Sequence, residues 1–216
     1  MGTGGNVSRR RDATRAGLGA ALLSAALAAA PAAAGDKPYS NVSRGPDGRD
    51  GKITHCLFCA DVDPTPGGRG GPVTDRYNGV IRIDTPGTAA VTVGSQGGNG
   101  GDGDVPALFG SPQNARDGGD AGAVSYVQGG SVFGDADQKV QSGARPQALV
   151  RVFSEGGKGG FSRAIRGGGG SAGTVFASLE RDAVIEAAGR YLAGMVVQSI
   201  GGSGGGGGGL GRPGAA

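Results

Sequence analysis

Val150-Arg151-Val152-Phe153-Ser154-Glu155-Gly156-Gly157-Lys158-Gly159-Gly160 sets the reading of this chain, because the same form occurs twice more. Val91-Thr92-Val93-Gly94-Ser95-Gln96-Gly97-Gly98-Asn99-Gly100-Gly101 precedes it, and Met195-Val196-Val197-Gln198-Ser199-Ile200-Gly201-Gly202-Ser203-Gly204-Gly205 follows it. Each copy is an alternating apolar run, then a serine able to bond nearby backbone, then a glycine stretch. The serines at 95, 154 and 199 are unequally spaced, as in a degenerate array with insertions. Alternation with period two marks a strand with one inward face. One such unit cannot bury that face alone. Stacked on its own copies it forms a parallel β-solenoid, with flexible glycine loops bulging from its side.

The surrounding sequence supports strands. Short β-branched runs recur at 79–83, 89–93, 123–127, 148–152, 174–179, 183–186 and 193–197, separated by glycine clusters. Residues 179–193 are the one helix candidate. Gly189 and the β-branched residues favour two strands there instead. Glycine supplies 50 of 216 residues, and aromatics only 5% with no Trp. Ordering so much glycine is entropically costly, and little large apolar surface offsets it. A compact globular core is therefore not expected. The fold class that follows is all-β, an irregular parallel β-solenoid with long glycine-rich loops, partly disordered. A collagen helix is excluded, since the triplet in Gly45-Pro46-Asp47-Gly48-Arg49-Asp50-Gly51 is too short to matter.

Residues 1–34 read as a signal peptide. Arg9, Arg10, Arg11 and Arg15 precede an uncharged run from Ala16 to Ala30, and Ala32-Ala33-Ala34 provides a small-residue cleavage site before Gly35. The apolar run is alanine-dominated and shorter than the roughly 20 residues a membrane-spanning helix needs. Ser8-Arg9-Arg10 hints at a twin-arginine signal, but the residues after it favour the general secretory route. The formal charge of +3 resides in this segment. Without it, 17 basic residues balance 17 acidic ones, so charge gives no case for a nucleic-acid partner.

Val197-Gln198-Ser199-Ile200-Gly201-Gly202-Ser203-Gly204-Gly205, preceded by Ile185-Glu186-Ala187-Ala188-Gly189, resembles the repeating unit of glycine-rich passenger regions in bacterial autotransporters. The resemblance is close over 183–209 and loose over most of the remaining mature chain. It implies a non-enzymatic surface protein, carried across the outer membrane by a translocator β-barrel, with adhesion or cell contact as its role and an unidentified surface or host ligand. No stretch here resembles the barrel, whose strands carry aromatic girdles. The barrel is therefore expected outside this chain, with the chain a fragment or a truncated relative. The mature segment itself is not expected to insert in a membrane. The organisation expected is a signal peptide at 1–34, a Pro/Gly-rich segment with a cysteine pair at 35–78, the glycine-rich β-repeat at 79–209, and an unstructured end at 210–216. The location follows: exported, in the periplasm in transit, and at the surface if a barrel is present. The alternatives are an independent glycine-rich envelope protein, or the N-terminal part of a larger exported enzyme.

Few residues suggest chemistry. Cys56 and Cys59 are the only cysteines, and His55 beside them is the only histidine. An oxidising compartment favours a short-loop disulfide; redox activity and metal capture are the alternatives. Residues 97–105 nearly match a calcium-binding nonapeptide, but Asp104 stands where an apolar residue belongs and no tandem copy follows. Matches to Gly-x-Gly-x-x-Gly open no helix after a strand. The serines lack a nearby imidazole base. Paired carboxylates such as Asp61/Asp63, Asp102/Asp104 and Asp135/Asp137 read as solubilising turns. No catalytic residue, metal ligand or cofactor site is expected.

Overall fold

The computed structural model describes residues 37–54, 60–105, 111–135, 137 and 147–206. These contain ten strands and no helix: β1 (Tyr39–Arg44), β2 (Val73–Tyr77), β3 (Val80–Ile83), β4 (Val91–Gln96), β5 (Val124–Gln128), β6 (Ser131–Gly134), β7 (Gln147–Glu155), β8 (Val175–Leu179), β9 (Val184–Ala187) and β10 (Leu192–Ile200). The seven runs expected from sequence lie on strands, and residues 179–193 form strands rather than a helix. β1, β2 and β6 were not anticipated.

Every strand pairing within these elements is parallel. Three sheets result, ordered β1-β4-β7-β10, β2-β5-β8 and β3-β6-β9, and none closes into a barrel. Equivalent residues stack in rows. Tyr39, Val91, Val150 and Met195 form one inward row of the four-stranded sheet, and Asn41, Val93, Val152 and Val197 form the next. Val73, Val124 and Val175 stack in the second sheet, and Ile81, Val132 and Ile185 in the third. Together these rows make one continuous apolar core. β1 and β2 fall within 35–78 yet pair with β4 and β5, so the sheets run without interruption across the boundary expected at residue 79. The described residues all belong to one compact unit, Ala34–Ala216.

The described glycine stretches form extended, hydrogen-bonded arms rather than loops. Between β1 and β2, β4 and β5, and β7 and β8 (each β1–β3, β4–β6, β7–β9 set being one coil) the chain runs out along one extended arm and back along another. In residues 97–103 the backbone N–H groups repeat with period three. Gly97, Gly100 and Gly103 donate to the carbonyls of Glu155, Lys158 and Phe161 in the next outgoing arm, at 2.9, 2.8 and 2.9 Å. Gly98 and Gly101 donate to Gly68 and Thr65 of a return arm running the opposite way, at 2.9 and 3.0 Å. The remaining N–H groups, on Asn99 and Asp102, bond to the side-chain Oδ1 atoms of Asp47 and Asp50 at 2.7 and 2.9 Å. Three residues per turn with all hydrogen bonds external is the geometry of a polyproline II helix. Apart from Gly87, no described glycine has a positive φ.

The arms therefore form a bundle alongside the sheets, and its packing dictates the sequence. A Cβ on Gly97 would overlap the Gly119 carbonyl, and one on Gly98 the Pro46 carbonyl. In the outgoing arm 97–103 two positions in three are glycine packed against backbone, while the third faces out and carries Asn99 or Asp102. Among the described residues no coil precedes the first arm, 45–51, and Pro46 and Arg49 stand where the next arm has Gly98 and Gly101. The short triplet dismissed in the sequence is thus the register of an edge arm.

The two ends of the stack differ. In the first coil, Tyr39 Oη and Asn41 Nδ2 both donate to Asp75 Oδ2, at 2.8 and 3.0 Å. The Tyr39 and Tyr77 rings lie 5.1 Å apart beside them. Polar and aromatic groups thus seal the core where later coils carry valine. Among the described residues no such network covers the β8–β10 end, where Leu179, Val184, Tyr191 and Val197 are exposed.

Candidate interaction surface

Four serines join the sheets to the arm bundle. Ser43, Ser95, Ser154 and Ser199 stack in one row of the four-stranded sheet. The three from the repeat were anticipated; Ser43 was missed because Gly45-Pro46-Asp47 after it breaks the Gly-Gly pattern. Each of the first three Oγ atoms accepts from the glycine that opens the second strand of its own coil: Gly71 N at 2.9 Å, Gly122 N at 2.8 Å and Gly173 N at 2.7 Å. Ser154 Oγ also donates to Gly122 O of the coil before at 2.9 Å, and Ser199 Oγ to Gly173 O at 3.0 Å. Ser95 and Ser154 are fully buried. Both hydroxyls act as structural crosslinks, and Ser154 turns donor and acceptor capacity alike to backbone.

The outward positions of the arms form a second ladder. Asp47 Oδ1 holds Asn99 N, and Asn99 Oδ1 holds Lys158 N at 3.1 Å. Asp50 Oδ1 holds Asp102 N, and Asp102 Oδ1 holds Phe161 N at 2.6 Å. On the return arms Asp117 and Asp120 hold Gly168 N and Ser171 N, at 2.6 and 2.8 Å. A short side-chain carbonyl one coil below reaches the one N–H per turn that no backbone carbonyl serves. Of these side chains, Asp102 belongs to a carboxylate pair expected from sequence to be a solubilising turn. These carboxylates cap backbone N–H groups through one oxygen, and Asp120 Oδ2 also pairs with the Arg69 guanidinium at 3.4 Å. Asp104 Oδ2 likewise accepts from Ile53 N at 2.8 Å, Asp61 Oδ1 from Thr54 N at 2.9 Å, and Asp137 Oδ1 from Arg190 N at 2.8 Å.

The outer face of the four-stranded sheet has a shallow depression of about 270 Å³, lined by Thr92, Gln147, Arg151, Val196 and Gln198 among others. The Arg151 guanidinium lies 4.6 Å from the centre of the Phe153 ring, and Phe153 covers Gly94. Inside the core, burial holds the Tyr126 hydroxyl far above the usual phenol range. It donates to Gln128 Oε1, whose Nε2 donates to Gly130 O at 2.8 Å. Tyr39 is raised first by its hydrogen bond to Asp75 and Tyr77 by burial. Among the described residues no group of three His, Cys, Asp or Glu side chains converges as a metal site. Residues 97–105 form an arm rather than a calcium loop. The cysteine pair Cys56 and Cys59, His55, and the cleavage position Ala34–Gly35 lie outside the described residues.

No protein-family model matches the chain, and comparison with curated proteins and with solved structures returns no similar protein.

Proposed function

We propose that this chain is an exported, non-enzymatic contact protein of the autotransporter-passenger type, folded as a parallel β-solenoid with three strands and one pair of glycine arms per coil. The chain visits the three sheets in the same order in each coil, which supports the solenoid. The observation that carries the functional reading is the set of outward side-chain rows. Asp47, Asn99 and Lys158 follow one another at one register of the arms, and Asp50, Asp102 and Phe161 at the next. Such rows present outward side chains at regular intervals and suit weak contacts summed over many positions, as adhesion requires. Buried polar side chains face backbone rather than a cleft, which fits a scaffold. The adhesive role and the translocator partner come from the sequence resemblance.

Export is tested by expressing the tagged full chain in a Gram-negative host, fractionating the cells and sequencing the N-terminus of the product. A periplasmic or released form beginning at Gly35 is expected. Full-length protein confined to the cytoplasm would refute export. Contact function is tested by coating beads with the processed protein and measuring cell capture, with the single-row variant Asp50→Ala/Asp102→Ala as comparison. Equal capture by uncoated beads would refute the reading.

A further inference from the structure

The chain holds two Asn-Gly dipeptides, Asn78-Gly79 and Asn99-Gly100, and the fold treats them oppositely. This pairing is prone to internal attack of the following amide nitrogen on the side-chain carbonyl, because glycine places no side chain in front of its own nitrogen. Both asparagines are exposed, so water reaches each. Hydrogen bonding separates them. In the arm, Gly100 N donates to Lys158 O at 2.8 Å, and Asn99 Oδ1 accepts from Lys158 N at 3.1 Å. One residue of the next coil thus holds both the nucleophile and the carbonyl it would attack. At the bend between β2 and β3 nothing comparable exists. The Gly79 N–H has no partner among the described residues. Asn78 Oδ1 accepts from Arg76 Nε at 2.9 Å, and Arg76 is itself fixed on Glu180 at 2.7 Å. That cationic donor draws electron density from the amide carbonyl and stabilises the oxyanion that forms during attack.

We propose that Asn78 is a self-modification site of the folded protein, and that arm packing protects Asn99. The Gly79 nitrogen, deprotonated by solvent base, bonds to Asn78 Cγ. The Cγ–Nδ2 bond breaks, and Nδ2 leaves as ammonia with the proton that the Gly79 nitrogen released. Water then opens the cyclic imide at either carbonyl, giving aspartate or isoaspartate, with no change in oxidation state. Either product sets a new carboxylate against Arg76, which then lies between it and Glu180. The isoaspartate form also lengthens the main chain by one methylene where the Tyr77 ring folds over Gly79.

The test is peptide mapping by mass spectrometry after incubating the full chain in mildly alkaline heavy-oxygen water, folded and in urea. In the folded chain Asn78 is expected to convert about tenfold faster than Asn99, the rate equivalent of one backbone hydrogen bond. In urea the two rates should converge. Equal rates in the folded chain would overturn the proposal, as would a difference that persists in urea. Arg76→Gln should slow Asn78 conversion without changing Asn99. An unchanged Asn78 rate in that variant would remove the role given to the guanidinium.

Discussion

Replacing Ser154 by alanine tests whether the serine row crosslinks sheet and bundle. Ser154 is fully buried; its Oγ accepts from Gly173 N at 2.7 Å and donates to Gly122 O at 2.9 Å. Two ordinary hydrogen bonds at about 1 kcal/mol each set a floor of about 2 kcal/mol for Ser154→Ala. Gly122 and Gly173 are only partly buried, so water compensates some of the loss, and the expected cost is about 2–3 kcal/mol. Ser199 occupies the same row but is exposed, with one such bond of 3.0 Å to Gly173 O. Ser199→Ala should cost about 0.5 kcal/mol, at the low end for a single bond. Urea unfolding followed by far-ultraviolet circular dichroism measures both, and an unchanged denaturant slope confirms that stability alone has moved. Equal midpoints for the two variants would refute the reasoning, because the difference rests on burial and bond count.

Three further predictions concern the arms and the core. Gly98→Ala drives a Cβ into the Pro46 carbonyl and should cost about 3 kcal/mol or more, whereas Gly87→Ala meets nothing within 4 Å and should cost about 1 kcal/mol for its positive φ alone; thermal melts compare them. Asp102→Asn keeps the acceptor for Phe161 N and should be near neutral, while Asp102→Ala should lose about 1 kcal/mol in the same assay. Tyr126 has its folded pKa raised above the unfolded value of 10.0, so between those two values the unfolded state binds fewer protons. Its stabilisation is complete below about pH 10 and falls above it by about 1.4 kcal/mol per pH unit. Alkaline unfolding curves should show this slope, and Tyr126→Phe should reduce it.

The strands legible in the sequence are those with unbroken apolar alternation, such as Val91-Thr92-Val93 and Val150-Arg151-Val152. β1 and β2 were hidden because Asn41, Ser43 and Asp75 occupy inward positions, which a local pattern reads as polar loop. Only the fold, which sets β2 beside β1, shows that Asp75 satisfies Tyr39 and Asn41. β6 was hidden because Gly134 ends it and only Val132 occupies a clearly apolar, β-branched position. The arms were illegible for a different reason. A lone glycine segment has no internal hydrogen bonds, and its order depends on partners far away in sequence, such as Gly97 with Glu155. The Gly-Gly-x phase was visible; that its third residue serves as a backbone cap was not. Asp102 and Asp120 gained their roles from register alone.

The sealed first row of the described strands gives their assembly a direction. Pairing β1 with β4 must close a loop of about 50 residues, costing roughly 3.5 kcal/mol in chain entropy before any contact repays it. That makes the first turn a slow nucleus. Afterwards each new turn lands on a finished row of strand edges, arm carbonyls and side-chain caps. The sealed network of Tyr39, Asn41 and Asp75 offers no apolar landing site, whereas the open row ending at Leu179 and Val197 does. Growth therefore runs one way, from the amino-terminal turn onward, in the same order in which the chain is synthesised.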